Sequence, residues 1–397
     1  MQSPLRPPSS VLWHPFSLRL ALFYAAVCAA LGVQLPFLPV WLAARGLDAG
    51  AIGVVLAVPM VVRVFAIPLA TRGADRHDAL RLALLIAACA AVLGYGALAL
   101  VQGAIAITFV FALASAAYTP IMPLADTYAL RGLGPLGRAY GPVRLWGSVA
   151  FMAGSIGAGV LLDIMPAGDL IWLVVIGMVL SAATAFALAP FAPRHDEAGA
   201  RTKTLASAHA LLRDRGFLAA AAAASLVQAS HAVYYGFSAL AWQAEGLDGV
   251  TIGLLWALAV VAEIVLFAFS GRLPFGPTAL LIAGAGGAVV RWGAMALDPP
   301  GVLLPALQCL HALSFGATHL GALGFVARAA PAQFGATAQG YLAVALGLVM
   351  AAATGASGVL YATSVELAYW AMALAAALGG LFACAAHRLA PNGAGKL

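Results

Sequence analysis

Charge is what this sequence lacks. Only 14 of its 397 residues are Asp or Glu and 20 are Lys or Arg, so charged side chains make up 9% of the chain. A soluble domain carries about a quarter, and a soluble protein of this length could not cover its surface with so few. Lipid is the solvent that removes the problem. The net charge of +6 does not point to nucleic acid, because the bases stand in short gaps between apolar runs and form no patch. Cysteine is scarce too: Cys28, Cys89, Cys309 and Cys384 each stand alone in an apolar stretch, with no metal or redox spacing, and read as packing residues. No phosphate loop, His-Glu-x-x-His or Gly-x-Ser-x-Gly elbow occurs, which argues against an enzyme. Gly284, Gly286 and Gly287 lie inside an apolar run with no strand before them, so they read as close helix packing and not as a dinucleotide site. No cofactor and no metal is expected.

What the sequence does hold is apolar length. A membrane span needs about 20 mostly apolar residues. Such runs fall near 17–42, 50–71, 80–100, 104–128, 140–162 and 170–190, then near 216–243, 250–270, 278–298, 301–328, 337–362 and 365–387. They are too long and too continuously apolar for barrel strands. The expected fold is an all-α membrane protein of twelve transmembrane helices. Its domains are a cytoplasmic tail (1–16), an N-terminal six-helix bundle (17–190), a charged cytoplasmic linker (191–215), a C-terminal six-helix bundle (216–388) and a second tail (389–397). The first tail lacks the apolar core and small-residue site of a cleaved signal. The linker is too short to fold as a domain.

With the N-terminus inside, the inner segments hold Arg6, Arg19, Arg72, Arg76, Arg81, Arg131, Arg138, five linker bases, Arg272, Arg328, Arg388 and Lys396. The outer loops hold Arg45 alone, beside Asp48, Asp163, Asp169, Glu245, Asp248, Asp298 and Glu366. That bias places both termini in the cytoplasm of a bacterial-type inner membrane. Trp41, Trp172 and Trp370 read as interface anchors, Pro36, Pro39, Pro59, Pro68, Pro120 and Pro123 as kinks, and Arg72, Gly73, Asp75 and Arg76 as an inner loop.

Displaced by 200 positions, the sequence meets itself. Ala44-Arg-Gly-Leu-Asp-Ala-Gly-Ala-Ile-Gly53 faces Ala244-Glu-Gly-Leu-Asp-Gly-Val-Thr-Ile-Gly253 with six identities in ten, and Arg72 faces Arg272. At a displacement of 199, Gly159-Val-Leu161 faces Gly358-Val-Leu360. Each half crosses six times, an even number, so the halves run parallel. Two parallel six-span halves with a site between them form the major facilitator arrangement. The halves differ in charge: Arg63 faces Glu263 and Arg144 faces Ala343, as an asymmetric ligand would require.

An ionisable residue inside a span costs roughly 3 kcal/mol on insertion scales and marks a functional position. Arg63, Asp126, Arg144, Glu263 and Arg291 are the candidates, with Gln228, His231, Tyr234 and Tyr235 in the seventh span and Gln308, His311 and His319 in the tenth. His231, Tyr234 and Tyr235 share one helical face. His311 and His319 differ by about 80° and can look into one cavity. Asp126 and Arg144 can pair across adjacent spans. Glu263 and Arg291 can pair only with a stretched Arg, since their depths differ by about 9 Å.

The stretch Gln228-Ala-Ser-His-Ala-Val-Tyr-Tyr-Gly-Phe-Ser-Ala-Leu-Ala-Trp-Gln243, with Val260-Val-Ala-Glu263, Val290-Arg-Trp-Gly293 and Gln308-Cys-Leu-His311, resembles the 3-phenylpropionic acid transporter family of the major facilitator superfamily. So do Tyr140-Gly-Pro-Val-Arg-Leu-Trp-Gly-Ser-Val-Ala-Phe151 and Pro123-Leu-Ala-Asp126. A more distant resemblance is to the lactose permease group of proton symporters, in which Asp126, Arg144, Glu263, Arg291 and His319 fit charged or imidazole positions. The proton-carrying Glu of that group would fall at Ala322, so the proton has to travel on Glu263 or a histidine.

The expectation is a proton-coupled symporter that imports a small organic acid such as an aryl-propionate. Arg63, Asp126, Arg144, Trp146, Gln228, His231, Tyr234 and Tyr235 are the expected substrate residues, and Glu263, Arg291, His311 and His319 the proton-coupling ones. An anion needs Arg144 or Arg63; a ring needs walls such as Trp146, Tyr234 and Tyr235. The partners are the substrate, protons and the bilayer, with no nucleic acid, and the chain is expected to act as a monomer. Transport of a sugar or nucleoside, or efflux by antiport, is the alternative. A membrane sensor or enzyme on the same fold is the reading from another class, and no output domain or nucleophile supports it.

Overall fold

The computed structural model describes residues 14–191, 209–272, 274–329 and 335–389. Arg194, Arg201 and Lys203 of the linker, Arg6 of the first tail and Lys396 of the second lie outside these residues. Twelve described helices are long and apolar enough to cross a membrane. They are α1 (Pro15–Ala44), α2 (Ala49–Arg76), α3 (Leu80–Leu100), α4 (Ala104–Leu133), α5 (Tyr140–Leu162), α6 (Ala167–Phe186), α7 (Arg215–Ala244), α8 (Gly249–Arg272), α9 (Pro277–Met295), α10 (Gly301–Ala329), α11 (Thr337–Thr363) and α12 (Val365–Leu389). The shortest, 19 residues, already measures about 28 Å at 1.5 Å per residue.

Each run of six packs by the same pairings. In the first, α1 lies against α5 and α6, α3 against α4 and α6, and α2 against α4. In the second, α7 lies against α11 and α12, α9 against α10 and α12, and α8 against α10. Between the two, α2 packs on α11 and α5 on α8, again a matched pair. The described chain ends, His14 and Leu389, lie on one side of the bundle, here the near face. The loops after α1, α5, α7 and α11 lie on the far face.

The repeated ten-residue motif builds the same far-face corner twice. Gly46 (φ 80°) and Gly246 (φ 88°) end α1 and α7 in the left-handed conformation that a side chain would strain. Their amides donate to the carbonyls of Ala43 and Gln243, and those of Leu47 and Leu247 to Leu42 and Trp242. Asp48 and Asp248 then cap α2 and α8, each accepting at 2.7 Å from the amide three residues on. The repeated Gly53 and Gly253 let these helices meet the other half. A Cβ on Gly53 would lie 2.9 Å from the Gly358 Cα, and one on Gly253 would lie 2.6 Å from the Ser155 carbonyl oxygen. Gly159 likewise lies against the Gly249 backbone. On the near face, a Cβ on Gly73, Gly141, Gly271, Gly335 or Gly340 would meet nothing within 4 Å. The halves therefore meet backbone to backbone at the far face.

Some local readings change. Trp41 is fully buried and its indole donates to the Gly168 carbonyl at 3.0 Å, so it is a core residue and not an interface anchor. Trp172 and Trp370 are 43% and 49% exposed, as anchors would be. Arg72, Gly73, Asp75 and Arg76 lie within the last turns of α2, not in a loop. The helices run on through Pro36, Pro39, Pro59 and Pro68; only Pro120 marks a break, between Tyr118 and Ile121 of α4.

Candidate functional site

Two polar clusters face each other across the halves. In the first half, Asp126 and Arg144 come near one another but do not pair. The Asp126 Oδ1 atom accepts from the Tyr24 hydroxyl at 2.6 Å and from the Tyr140 hydroxyl at 2.7 Å. Arg144 instead lies over the Tyr24 ring at 5.3 Å, with a guanidinium N–H 3.8 Å from the Cys28 sulfur. Gly147, one turn on, leaves it room: a Cβ there would sit 2.6 Å from the guanidinium. The expected direct pair is thus replaced by one relayed through two tyrosines. Cys28, expected as packing only, is buried beside the arginine. Arg63 of α2 has one polar neighbour among the described residues, the Met60 sulfur at 3.9 Å. Trp146 is 46% exposed on the near-face part of α5.

In the second half, Arg291 is fully buried and, among the described residues, has no carboxylate partner. It donates to the Gln308 Oε1 atom at 2.6 Å, to the His311 Nδ1 atom at 2.9 Å and to the Ser314 Oγ atom at 3.4 Å. Its guanidinium also lies over the rings of Trp292 and Tyr234, at 4.4 and 4.6 Å. Because arginine only donates, the His311 Nδ1 must accept, and its Nε2 carries the hydrogen. That Nε2 is 3.9 Å from the Glu263 carboxylate, longer than a hydrogen bond. The expected Glu263–Arg291 pair is therefore split by His311, which bridges the difference in depth. Glu263 and Arg144 stand on α8 and α5, the helices that pack on one another across the halves.

His231 is placed by a break in α7 between Ala229 and Ala232. Its Nδ1 reaches the freed carbonyls of Val227 and Gln228 at 3.2 and 3.1 Å, and its Nε2 meets Ser314 Oγ at 3.0 Å. The Gln228 amide donates to the Phe315 carbonyl at 3.3 Å. Both residues thus tie α7 to α10. Tyr234 is buried and stacked on Trp256 at 4.4 Å, while Tyr235 is partly exposed. In α10, His311, Phe315 and His319 form a stacked column with centroid separations of 5.1 and 6.0 Å; His311 is buried and His319 exposed. Residues Ala312–Ala317 form a π-helix, so the angle computed for a regular helix does not hold there.

Reading the sequence missed Tyr24, Tyr140, Ser314 and Trp256. Tyr140 stands four residues before Arg144, and Ser314 three after His311, so helical spacing could have found them. Tyr24 is set by the packing of α1 on α5 and α4, and no local signal marks it.

The comparisons with known proteins agree with this architecture. The MFS_1 like family model matches residues 17–372. The probable 3-phenylpropionic acid transporter of Escherichia coli (strain K12) is 34% identical over 365 residues, covering 90% of this chain and 94% of that one. The chain belongs to the major facilitator superfamily, in the 3-phenylpropionic acid transporter family. The maltose permease of Geobacillus stearothermophilus is 30% identical over 332 residues, covering 82% of this chain and 83% of that one. Among solved structures, a point mutant of the nucleoside transporter NupG is similar with a TM-score of 0.78 at 18% identity, over 94% of this chain and 99% of that one. A D-xylose-proton symporter is similar with a TM-score of 0.73 at 12% identity, over 96% and 99%. These last two bear on the fold alone. This major facilitator protein is a secondary transporter in a membrane, not an enzyme.

Proposed function

We propose that the chain imports a small organic acid, of the aryl-propionate kind, together with a proton. The observation that carries this reading is the state of Arg144. Its neighbouring acid, Asp126, accepts two tyrosine hydroxyls at one oxygen, and among the described residues the Arg144 guanidinium, on the near-face part of α5, has no carboxylate in hydrogen-bond contact. Arg63 is a second such group. A substrate carboxylate is the missing partner, with Trp146 and Tyr235 as the aromatic wall.

Glu263 supplies the coupling. It stands on α8, packed against the α5 that carries Arg144, so a charged Glu263 and a substrate carboxylate compete for the same cation. Protonating Glu263 removes the competitor, and proton and anion then bind together. Arg291 holds His311 with its N–H towards Glu263, which makes His311 the group that steadies the charged form and can relay the proton. His319, exposed on the same column, extends this route. The relative named as a probable 3-phenylpropionic acid transporter supports an aromatic acid, and the bias of Arg to the near face supports a cytoplasmic near face in an inner membrane. The path needs only one chain. The maltose permease relative favours an uncharged sugar instead, a reading that leaves Arg144 without its partner.

Uptake into proteoliposomes tests the proposal. Phenylpropionate and related acids should accumulate when the lumen is alkaline, and sugars should neither accumulate nor compete. Arg144→Gln should insert normally and lose the substrate's protection against thermal unfolding. Retained protection in Arg144→Gln contradicts the assignment of the carboxylate to this arginine.

A further inference from the structure

The far-face closure is built from two matched seams, of which one adds a carboxylate that crosses between the halves. On α2–α11, Gly53 lies against Gly358; on α5–α8, Gly159 lies against Gly249. Both use the repeated Gly-Val-Leu and Ile-Gly segments, and at each a methyl group would meet backbone of the other half. Among the described residues, only at the second seam does a carboxylate reach across to the opposite half. Asp163, the residue just past α5, accepts from the Gly249 amide at 2.7 Å and from the Val250 amide at 3.3 Å. These are the first amides of α8, unsatisfied within the helix and at the positive end of its dipole. The Asp248 carboxylate takes the third. One turn below, Ser155 donates to the Gly253 carbonyl at 3.3 Å. Displaced by 199, Asp163 corresponds to Ala362, so the α2–α11 seam has no such cap.

We propose that Asp163 is the latch of the far face, a positioning residue that holds the closed state by capping a helix of the opposite half. Asp48 and Asp248 cap helices of their own half, and their bonds survive when the halves part. The Asp163 bonds exist only while the far face is shut, so their free energy bears on the equilibrium between the two openings and not on the fold of either half. The α5–α8 seam is therefore held by charge as well as by contact, and the α2–α11 seam by contact alone.

The test is a distance across the far face. Spin labels are placed at cysteines replacing Gln102 and Val302, both exposed far-face positions in opposite halves, with the four native cysteines changed to alanine. In the parent the short-distance population dominates. Asp163→Ala should raise the ratio of open to closed by about tenfold, the scale of losing one helix-capping carboxylate. Asp163→Asn keeps the shape and one acceptor oxygen and should give a smaller shift of the same sign; it carries the test if the alanine variant is poorly folded. Asp169→Asn, a far-face acid outside the seam, should leave the distribution unchanged. An unchanged distribution in both Asp163 variants, or an equal shift in Asp169→Asn, overturns the proposal.

Discussion

At Asp126, two tyrosine hydroxyls decide what Arg144 is free to do. A carboxylate prefers a guanidinium to a hydroxyl when both are in reach, since charge-assisted bonds are about twice as strong. Tyr24 and Tyr140 keep Asp126 occupied and Arg144 available. Removing both hydroxyls, as Tyr24→Phe with Tyr140→Phe, should turn Asp126 to Arg144 and lower the affinity for a carboxylate substrate about tenfold, the scale of one or two such bonds. Adding Asp126→Asn should restore most of the affinity. Calorimetric binding in the double and triple variants checks this, and equal affinity in parent, double and triple would show that the tyrosines do not govern the arginine. The charged residues were legible in the sequence because a lone Arg or Asp interrupts an apolar run. The tyrosines were not: a phenol does not disturb hydropathy, and Tyr24 reaches Asp126 only through packing over 102 positions. The same limit explains why the two possible pairs do not meet directly. Adjacent spans gave Asp126–Arg144 and Glu263–Arg291 as neighbours, but side-chain competition places a tyrosine or a histidine between them.

Among the helices, the spans were legible and their interruptions were not. Length and hydropathy fix a span to within a few residues, as α3 (80–100) and α5 (140–162) show. The breaks in α7 and α10 have no proline to announce them. They persist because side chains take up the carbonyls that a break releases: Ser230 and His231 bond the carbonyls of Val227 and Gln228, and Gln228 bonds that of Phe315. Ser314 joins these pieces, since its hydroxyl meets both His231 and Arg291. Ser314→Ala replaces a poorer helix former with the best one. On propensity alone the variant should be slightly more stable. With a buried His231 nitrogen left unpaired it should instead lose about 1–3 kcal/mol. Thermal unfolding in detergent separates these outcomes, and a midpoint at or above the parent's would show that the hydroxyl carries no such load.

Over the whole molecule, the internal repeat is the most informative feature of the sequence, and the structure gives its physical reason. The repeated residues are those that turn the chain at a far-face corner, cap the next helix and let it touch the other half. The divergent residues, Arg63 against Glu263 and Arg144 against Ala343, lie where a one-sided ligand would be read. Symmetry thus serves the far-face corner and, on the proposed function, asymmetry the site. With the near face cytoplasmic, as proposed from the distribution of Arg, a reporter fused at Asp48 or Asp248 should read external while one after Lys396 reads internal. An internal signal at Asp48 would invert the transporter and turn import into export. The central claim is that Glu263 couples a proton to the anion held by Arg144. The most direct measurement uses Glu263→Gln in proteoliposomes with an imposed pH gradient. The variant should still exchange labelled for unlabelled substrate, because exchange needs no net proton release, and should fail to accumulate substrate uphill. Accumulation equal to the parent's under the same gradient would contradict the account, leaving Glu263 as a structural neighbour of His311 and moving the proton to the histidines.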